Sequence, residues 1–213
     1  MCIKVIIFAL DGVICHLEKY HYLAWKQIAD ELEIPFTREY CHKLIGLSRM
    51  DSLNKILENY SGDLSLAEKE ILSEQKNVNF RNYLTQITEA DCMPGLRDML
   101  QELKKSGYLI TVASSSKNTS ILLKRMHLED CIEVVSDGNT SICLKPDPEV
   151  FLNICEYTHF SPKECLIVEG TNYGILAGIA AGIQTIGIGT NLCLHENIKM
   201  LTDILDLKSY LNE

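Results

Sequence analysis

From about residue 18 to residue 88 the sequence carries helical periodicity and no strand candidate, and this stretch interrupts a chain that otherwise reads as one sheet with helices around it. Before the interruption stands a single apolar run, Val5–Leu10, ending in Asp11-Gly12. A run without alternation, closed by a turn signal, predicts a strand over about 3–10 that is buried on both faces. After Met93-Pro94-Gly95 the pattern alternates. Helices over Leu96–Ser106, Thr119–Met126, about Glu149–Tyr157 and about Tyr173–Ala181 precede strands at Leu109–Ala113, near Glu133–Val135, at Cys165–Val168 and at Thr185–Ile188. Strands alternating with helices of this length imply βαβ units and a parallel, doubly wound α/β sheet. The first strand has to join that sheet, so the helical stretch is an insertion. The expected organisation is an α/β core of residues 1–17 and 89–213 and a small helical cap domain of residues 18–88. The cap contains helices at about Glu18–Glu33, Asp51–Tyr60 and Ser65–Thr85. The first of these has Tyr22, Trp25, Ile28, Ala29 and Leu32 on one stripe and ends before Ile34-Pro35. Such an insertion is placed to cover the carboxyl ends of the strands, where open α/β sheets bind ligands.

Several function classes drop out. No Gly-x-Gly-x-x-Gly follows the first strand and no P-loop motif occurs, which argues against a Rossmann or P-loop nucleotide binder. A net charge of −9 argues against nucleic acid or an acidic membrane surface as a partner. An anionic small molecule would need a local cluster of cations. The nine cysteines form no Cys-x-x-Cys pair, so zinc or a disulfide framework has little support, and reduced, mostly buried thiols are expected. The first apolar run is too short for a membrane span or a signal peptide. A cytoplasmic monomer is expected.

Polar groups gather at four strand ends: Ala9-Leu10-Asp11-Gly12, Ala113-Ser114-Ser115-Ser116-Lys117-Asn118, Lys145-Pro146-Asp147-Pro148 and Val168-Glu169-Gly170-Thr171-Asn172. A Ser-rich run before a helix is ordinarily an N-cap, and Lys-Pro-Asp-Pro is ordinarily a helix entry. All four in this order resemble the four motifs of the haloacid dehalogenase superfamily. His21-Tyr22-x-x-Trp25, Gly46-Leu47-Ser48-Arg49 with Asp51-Ser52-Leu53, and Lys76 resemble its β-phosphoglucomutase-like subfamily.

The resemblance implies a phosphotransferase for sugar phosphates. Asp11 would be the general acid/base, and Ser114 and Lys145 would hold the transferring phosphoryl group. Glu169 and the main-chain carbonyl of Asp11 would bind Mg²⁺. Arg49, Ser116, Lys117 and Asn118 would grip a second phosphate. His21, Trp25, Gly46 and Lys76 would line the cap side. For the cap residues, packing or a solvated face is the plain alternative.

Two positions depart from the pattern. The family's aspartate nucleophile falls on Ala9, and its second acidic Mg²⁺ ligand falls on Gly170. Alanine has no lone pair to attack phosphorus, and one remaining carboxylate predicts that Mg²⁺ binds weakly or not at all. Several readings stay open: a pseudoenzyme that binds a sugar phosphate as a sensor or partner module, and an engineered nucleophile-minus form of an active mutase or sugar phosphatase. An enzyme with a substitute nucleophile such as Asp11 or a water, or a scaffold without ligand, also remain. Asp11 is expected to point to the opposite side of the strand end from Ala9.

Overall fold

The computed structural model describes residues 3–189, 192 and 198–212. Six parallel strands lie in the order β3-β2-β1-β4-β5-β6. They are β1 (Val5–Ala9), β2 (Leu109–Ala113), β3 (Val134–Ser136), β4 (Cys165–Glu169), β5 (Gln184–Ile188) and β6 (Lys199–Leu201). Every residue of β1 and β4 is buried. Alternation divides β1 between two cores. Ile6 and Phe8 pack with helices α5 (Leu96–Lys105) and α6 (Thr119–Arg125), while Val5 and Ile7 pack with α7 (Glu149–Thr158) and α8 (Asn172–Ala180). A strand sandwiched between helix layers has no polar face, which is why its sequence does not alternate. Burying one side chain such as Phe8 is worth about 1.5–3 kcal/mol.

The segment between β1 and α5 is helical: α1 (Glu18–Glu31), α2 (Arg38–His42), α3 (Arg49–Leu57) and α4 (Leu66–Tyr83). Its caps are written in the sequence. Ser48 accepts from the Asp51 N–H, and Ser65 and Glu68 form a reciprocal capping box. Trp25, Ile28, Ala29, Phe36, Leu53 and Ile56 make a third apolar cluster of their own. Helix α1 serves both bodies, because its Tyr20 and Ala24 belong to the larger core beneath the sheet. Tyr22 and Leu32, expected on the buried stripe, are only partly buried at the edge of the third cluster.

The structure moves several boundaries. The third strand lies one residue later than expected, and the helix expected over Ser65–Thr85 is α4 followed by a 3₁₀ turn at Leu84–Gln86. Strand β6, helix α2 and a final helix α9 (Leu207–Leu211) have no counterpart in the sequence reading. Of the cysteines, Cys15, Cys41, Cys131, Cys155 and Cys165 are buried free thiols, Cys92 is half-buried and Cys143 is exposed. Cys2 and Cys193 lie outside the described residues. Among the described residues no helix is long and apolar enough to cross a membrane.

Candidate functional site

Parallel register brings the carboxyl ends of the central strands level. Ala9 pairs with Ala113, and Phe8, one residue earlier, pairs with Val168, the neighbour of Glu169. Between this edge and the cap helices lies a cavity of about 360 Å³. The core lends it Ala9, Asp11, Ser114, Lys145 and Glu169; the cap lends it His21, Trp25, Gly46, Arg49 and Lys76. Ser116, Lys117 and Asn118 line it as well. The structure therefore gathers all the expected side chains around one space. Asp11 does not point away from position 9. Both residues line the same cavity, Asp11 from the turn that follows the strand.

The floor is an ion pair. Glu169 is 0% exposed, and its Oε1 accepts from Lys145 Nζ. Its Oε2 accepts from the Thr171 N–H and the Thr171 hydroxyl, each at 2.9 Å. Lys145 also donates to the Ala113 carbonyl at 3.3 Å and lies 4.9 Å from the Phe151 ring centroid. A buried charge persists only when paired and hydrogen-bonded, and here both members are. Ser114 is buried beside them, its hydroxyl accepting from the Ser116 N–H at 3.1 Å.

These residues do not fit Mg²⁺. Both carboxylate oxygens of Glu169 already accept hydrogen bonds, and Ala9 and Gly170 offer no oxygen from a side chain. Gly170 is also packed against Gly12: a Cβ at 170 would stand 2.7 Å from the Gly12 carbonyl carbon and oxygen. The Gly12 backbone occupies the volume in which a side chain at 170 would start. Among the described residues, the one group of three close His, Cys, Asp or Glu donors is Cys143, Asp147 and Glu149, none of which lines the cavity.

Above the floor a polar chain crosses from core to cap. His21 Nε2 lies 3.7 Å from Asp11 Oδ1, and Lys76 Nζ lies 3.1 Å from His21 Nδ1. Burial would raise the Asp11 carboxyl, but His21 beside it and the charges of Lys145 and Lys76 outweigh this and hold it below the usual carboxylate range. Burial and the Lys76 charge push the His21 imidazole down. Burial, reinforced by Arg49, brings Lys76 down to about 7. His21 stacks on Phe80 with ring centroids 4.5 Å apart, and Trp25 is buried in the cap cluster while also lining the cavity.

The cap is seated on the core. Ser115 donates to the Gly46 carbonyl at 3.0 Å. Gly46 has φ +94° and sits so close to Thr171 that a Cβ would meet its hydroxyl at 2.7 Å, so no other residue fits. Asn118 donates to Asn77 Oδ1 at 3.0 Å and accepts from Arg81 Nε at 3.2 Å. In this arrangement Asn118 faces cap residues rather than open space. Arg49 donates to the Ser73 carbonyl and to Glu74 at 3.0 Å. Lys117 stands exposed at the rim, and the Ser116 hydroxyl accepts from the Asn118 N–H. The sequence reading gave no role to Thr171 and Ser115, which it placed only within the strand-end motifs, and missed Asn77 and Arg81. Thr171 could have been found as the cap of α8, since its hydroxyl also accepts from the Gly174 N–H; Asn77 and Arg81 lie on a helix without distinctive spacing.

A family model described as haloacid dehalogenase-like hydrolase matches residues 6–188. The β-phosphoglucomutase of Bacillus subtilis is 37% identical over 188 residues, spanning 87% of this chain and 83% of the relative. The phosphorylated carbohydrates phosphatase of Thermotoga maritima is 26% identical, spanning 86% of this chain and 83% of the relative. A solved β-phosphoglucomutase from Clostridium difficile superposes with a TM-score of 0.89 at 29% identity, covering 99% of this chain and 97% of that one.

Proposed function

We propose, from the premise that the chain belongs to the haloacid dehalogenase-like hydrolase family and to its β-phosphoglucomutase-like branch, that it binds a sugar phosphate without transferring the phosphoryl group. The observation that carries this reading is Ala9, a methyl group on the cavity floor at the end of the central strand, where the family motif calls for the attacking carboxylate. No phosphoenzyme can form on it. The relatives are named for phosphoglucose and for phosphorylated carbohydrates, and a phosphate ester remains a sound ligand here. Arg49, Lys76, Lys117 and Lys145 line the cavity against two carboxylates, Asp11 and Glu169, in a chain whose net charge is −9. A volume of about 360 Å³ lies in the range of small-ligand sites.

In this reading the Ser114 hydroxyl and the Lys145 ammonium hold the phosphate. Asp11, His21 and Lys76 face the sugar hydroxyls, and Arg49 reaches toward a second phosphate. Loss of the nucleophile alone would explain Ala9, but the tight contact of Gly170 with Gly12 favours a site altered at two places. Turnover of β-glucose 1-phosphate, followed with any added bisphosphate and Mg²⁺, is expected to equal a buffer blank. Radiolabel from a phosphoryl donor is expected not to stay on the protein. Turnover clearly above the blank overturns the reading, and a label mapped to Asp11 would identify the substitute nucleophile.

A further inference from the structure

We infer that the Lys145 ammonium has taken over the part of the metal ion, so that this cavity binds a phosphate dianion with no divalent cation. The inference rests on the sugar-phosphate reading above and states how that same site is charged. Four independent features point to it. Lys145 Nζ is already lodged on Glu169 Oε1, the oxygen a cation would need. The other oxygen is closed off by two donors from Thr171. Position 9 carries a methyl group that accepts nothing. The backbone at Gly170 lies against Gly12 with no room for a side chain that could reach a metal.

Charge counting gives the sign. A phosphate dianion entering a cleft with several unpaired carboxylates meets repulsion that only a divalent cation offsets, because like charges a few ångströms apart in a partly dry site repel strongly. Here the one carboxylate on the floor is neutralised within the protein by an ammonium 3% exposed. Lys117 at the rim, Arg49 (held at its outer end by Glu74) and the Lys76 amine, whose pKa lies at about 7, line the rest of the cavity. Lys145 directs two of its three N–H donors to Glu169 and to the Ala113 carbonyl, and the third can meet an incoming phosphate oxygen while the ion pair stays intact. A divalent ion offered to this floor would have to displace the ammonium from Oε1, and would find there a single side-chain carboxylate and the Asp11 main-chain carbonyl. Mg²⁺, which sheds its water reluctantly, gains little from that exchange.

Calorimetric titration with inorganic phosphate and with glucose 6-phosphate, in chelator and in millimolar Mg²⁺, tests this. Affinities that agree within about twofold between the two buffers are expected. The Glu169→Gln variant separates the two cations. If Mg²⁺ is the bridging ion, removing its last carboxylate abolishes binding. If Lys145 is the cation, the variant retains phosphate affinity or gains up to about tenfold, since the ammonium is freed from its competitor. Lys145→Met should lose at least about tenfold in both buffers, with no rescue by Mg²⁺; its circular dichroism and melting temperature show whether it is folded, and Glu169→Gln stands if it is not. A Mn²⁺ titration should show no site tighter than millimolar. Phosphate binding that vanishes in chelator and returns with Mg²⁺ overturns the inference and leaves the sugar-phosphate reading standing. No binding of either ligand in either buffer overturns both. Binding in chelator together with turnover overturns only the inactive reading.

Discussion

The Lys76 side chain lies over two aromatic faces, 5.1 Å from the Trp25 centroid and 4.8 Å from that of Phe80, with His21 as its polar contact. Burial and the neighbouring Arg49 bring its pKa to about 7, well below that of a lysine in an unfolded chain. The unfolded protein therefore keeps a proton that the folded one releases between about pH 7 and pH 10, and across that window stability rises with pH. Below pH 7 both states hold the proton and the folded state bears the full cost of the buried charge. Lys76→Met is accordingly expected to be more stable than the parent at pH 6, by on the order of a few kcal/mol, with the gap narrowing by pH 9. Urea melts of both proteins at the two pH values read this directly; an unchanging gap would mean that Lys76 keeps its proton throughout. Arg49 makes a second test. Its guanidinium is held by Ser73 and Glu74 on α4, ready at the cavity but away from the floor. Arg49→Ala should weaken a hexose bisphosphate by about 2–3 kcal/mol and leave inorganic phosphate nearly unaffected, because only the longer ligand reaches both ends. Equal losses for the two ligands would remove Arg49 from the site.

Among the elements, α1 belongs to two bodies, giving Tyr20 and Ala24 to the sheet's core and Trp25, Ile28 and Ala29 to the cluster above, and α4 likewise sends Phe80 to the first and Leu72 to the second. The Ile56 side chain is buried wholly within that upper cluster. Ile56→Ala should cost about 2–5 kcal/mol and speed hydrogen exchange across α1, α2 and α3, while β1 and β4 stay protected. Exchange quickening equally in the central strands would show one cooperative unit instead of two. The core strands were readable in the sequence because burial on both faces leaves no alternative to an apolar run, as in β1 and β4. The residues that gather round the cavity were readable because each stands at the end of such a run or in a cap motif that resembles the family. Strand β6 was hidden because three residues show no period, and Lys199 within it is exposed. The closure at Gly170 was hidden for another reason. A glycine letter records a missing side chain, and only the fold shows that Gly12 lies against the place where one would start. The pairing of Lys145 with Glu169 was likewise invisible, since the two are distant in the chain and meet only when α7 brings β4 alongside β1.

At the scale of the whole molecule, a chain of net charge −9 holds a cavity lined by four Lys and Arg side chains and two carboxylates, so a phosphate is repelled by the molecule as a whole and drawn by its cavity. Added salt screens the exterior more than the buried floor. Raising ionic strength from about 0.01 M to about 0.15 M is therefore expected to speed glucose 6-phosphate association, or leave it unchanged, where an exposed basic site would slow several-fold. The seating of the cap adds a second condition. Asn118 is bound to Asn77 and Arg81, Ser115 to Gly46, and Gly46 lies against Thr171, so the groups that would receive a ligand are also the groups that hold the lid down. A ligand that has to pass beneath the cap is then expected to wait for those bonds to part. The time course of binding should then have a ceiling: the observed rate climbs with ligand concentration and levels off at the frequency with which the cap lifts. Asn118→Ala removes two of the bonds and should raise that ceiling, even where it weakens the final grip. The clock for capture is set by the protein's own opening, whatever sugar it waits for.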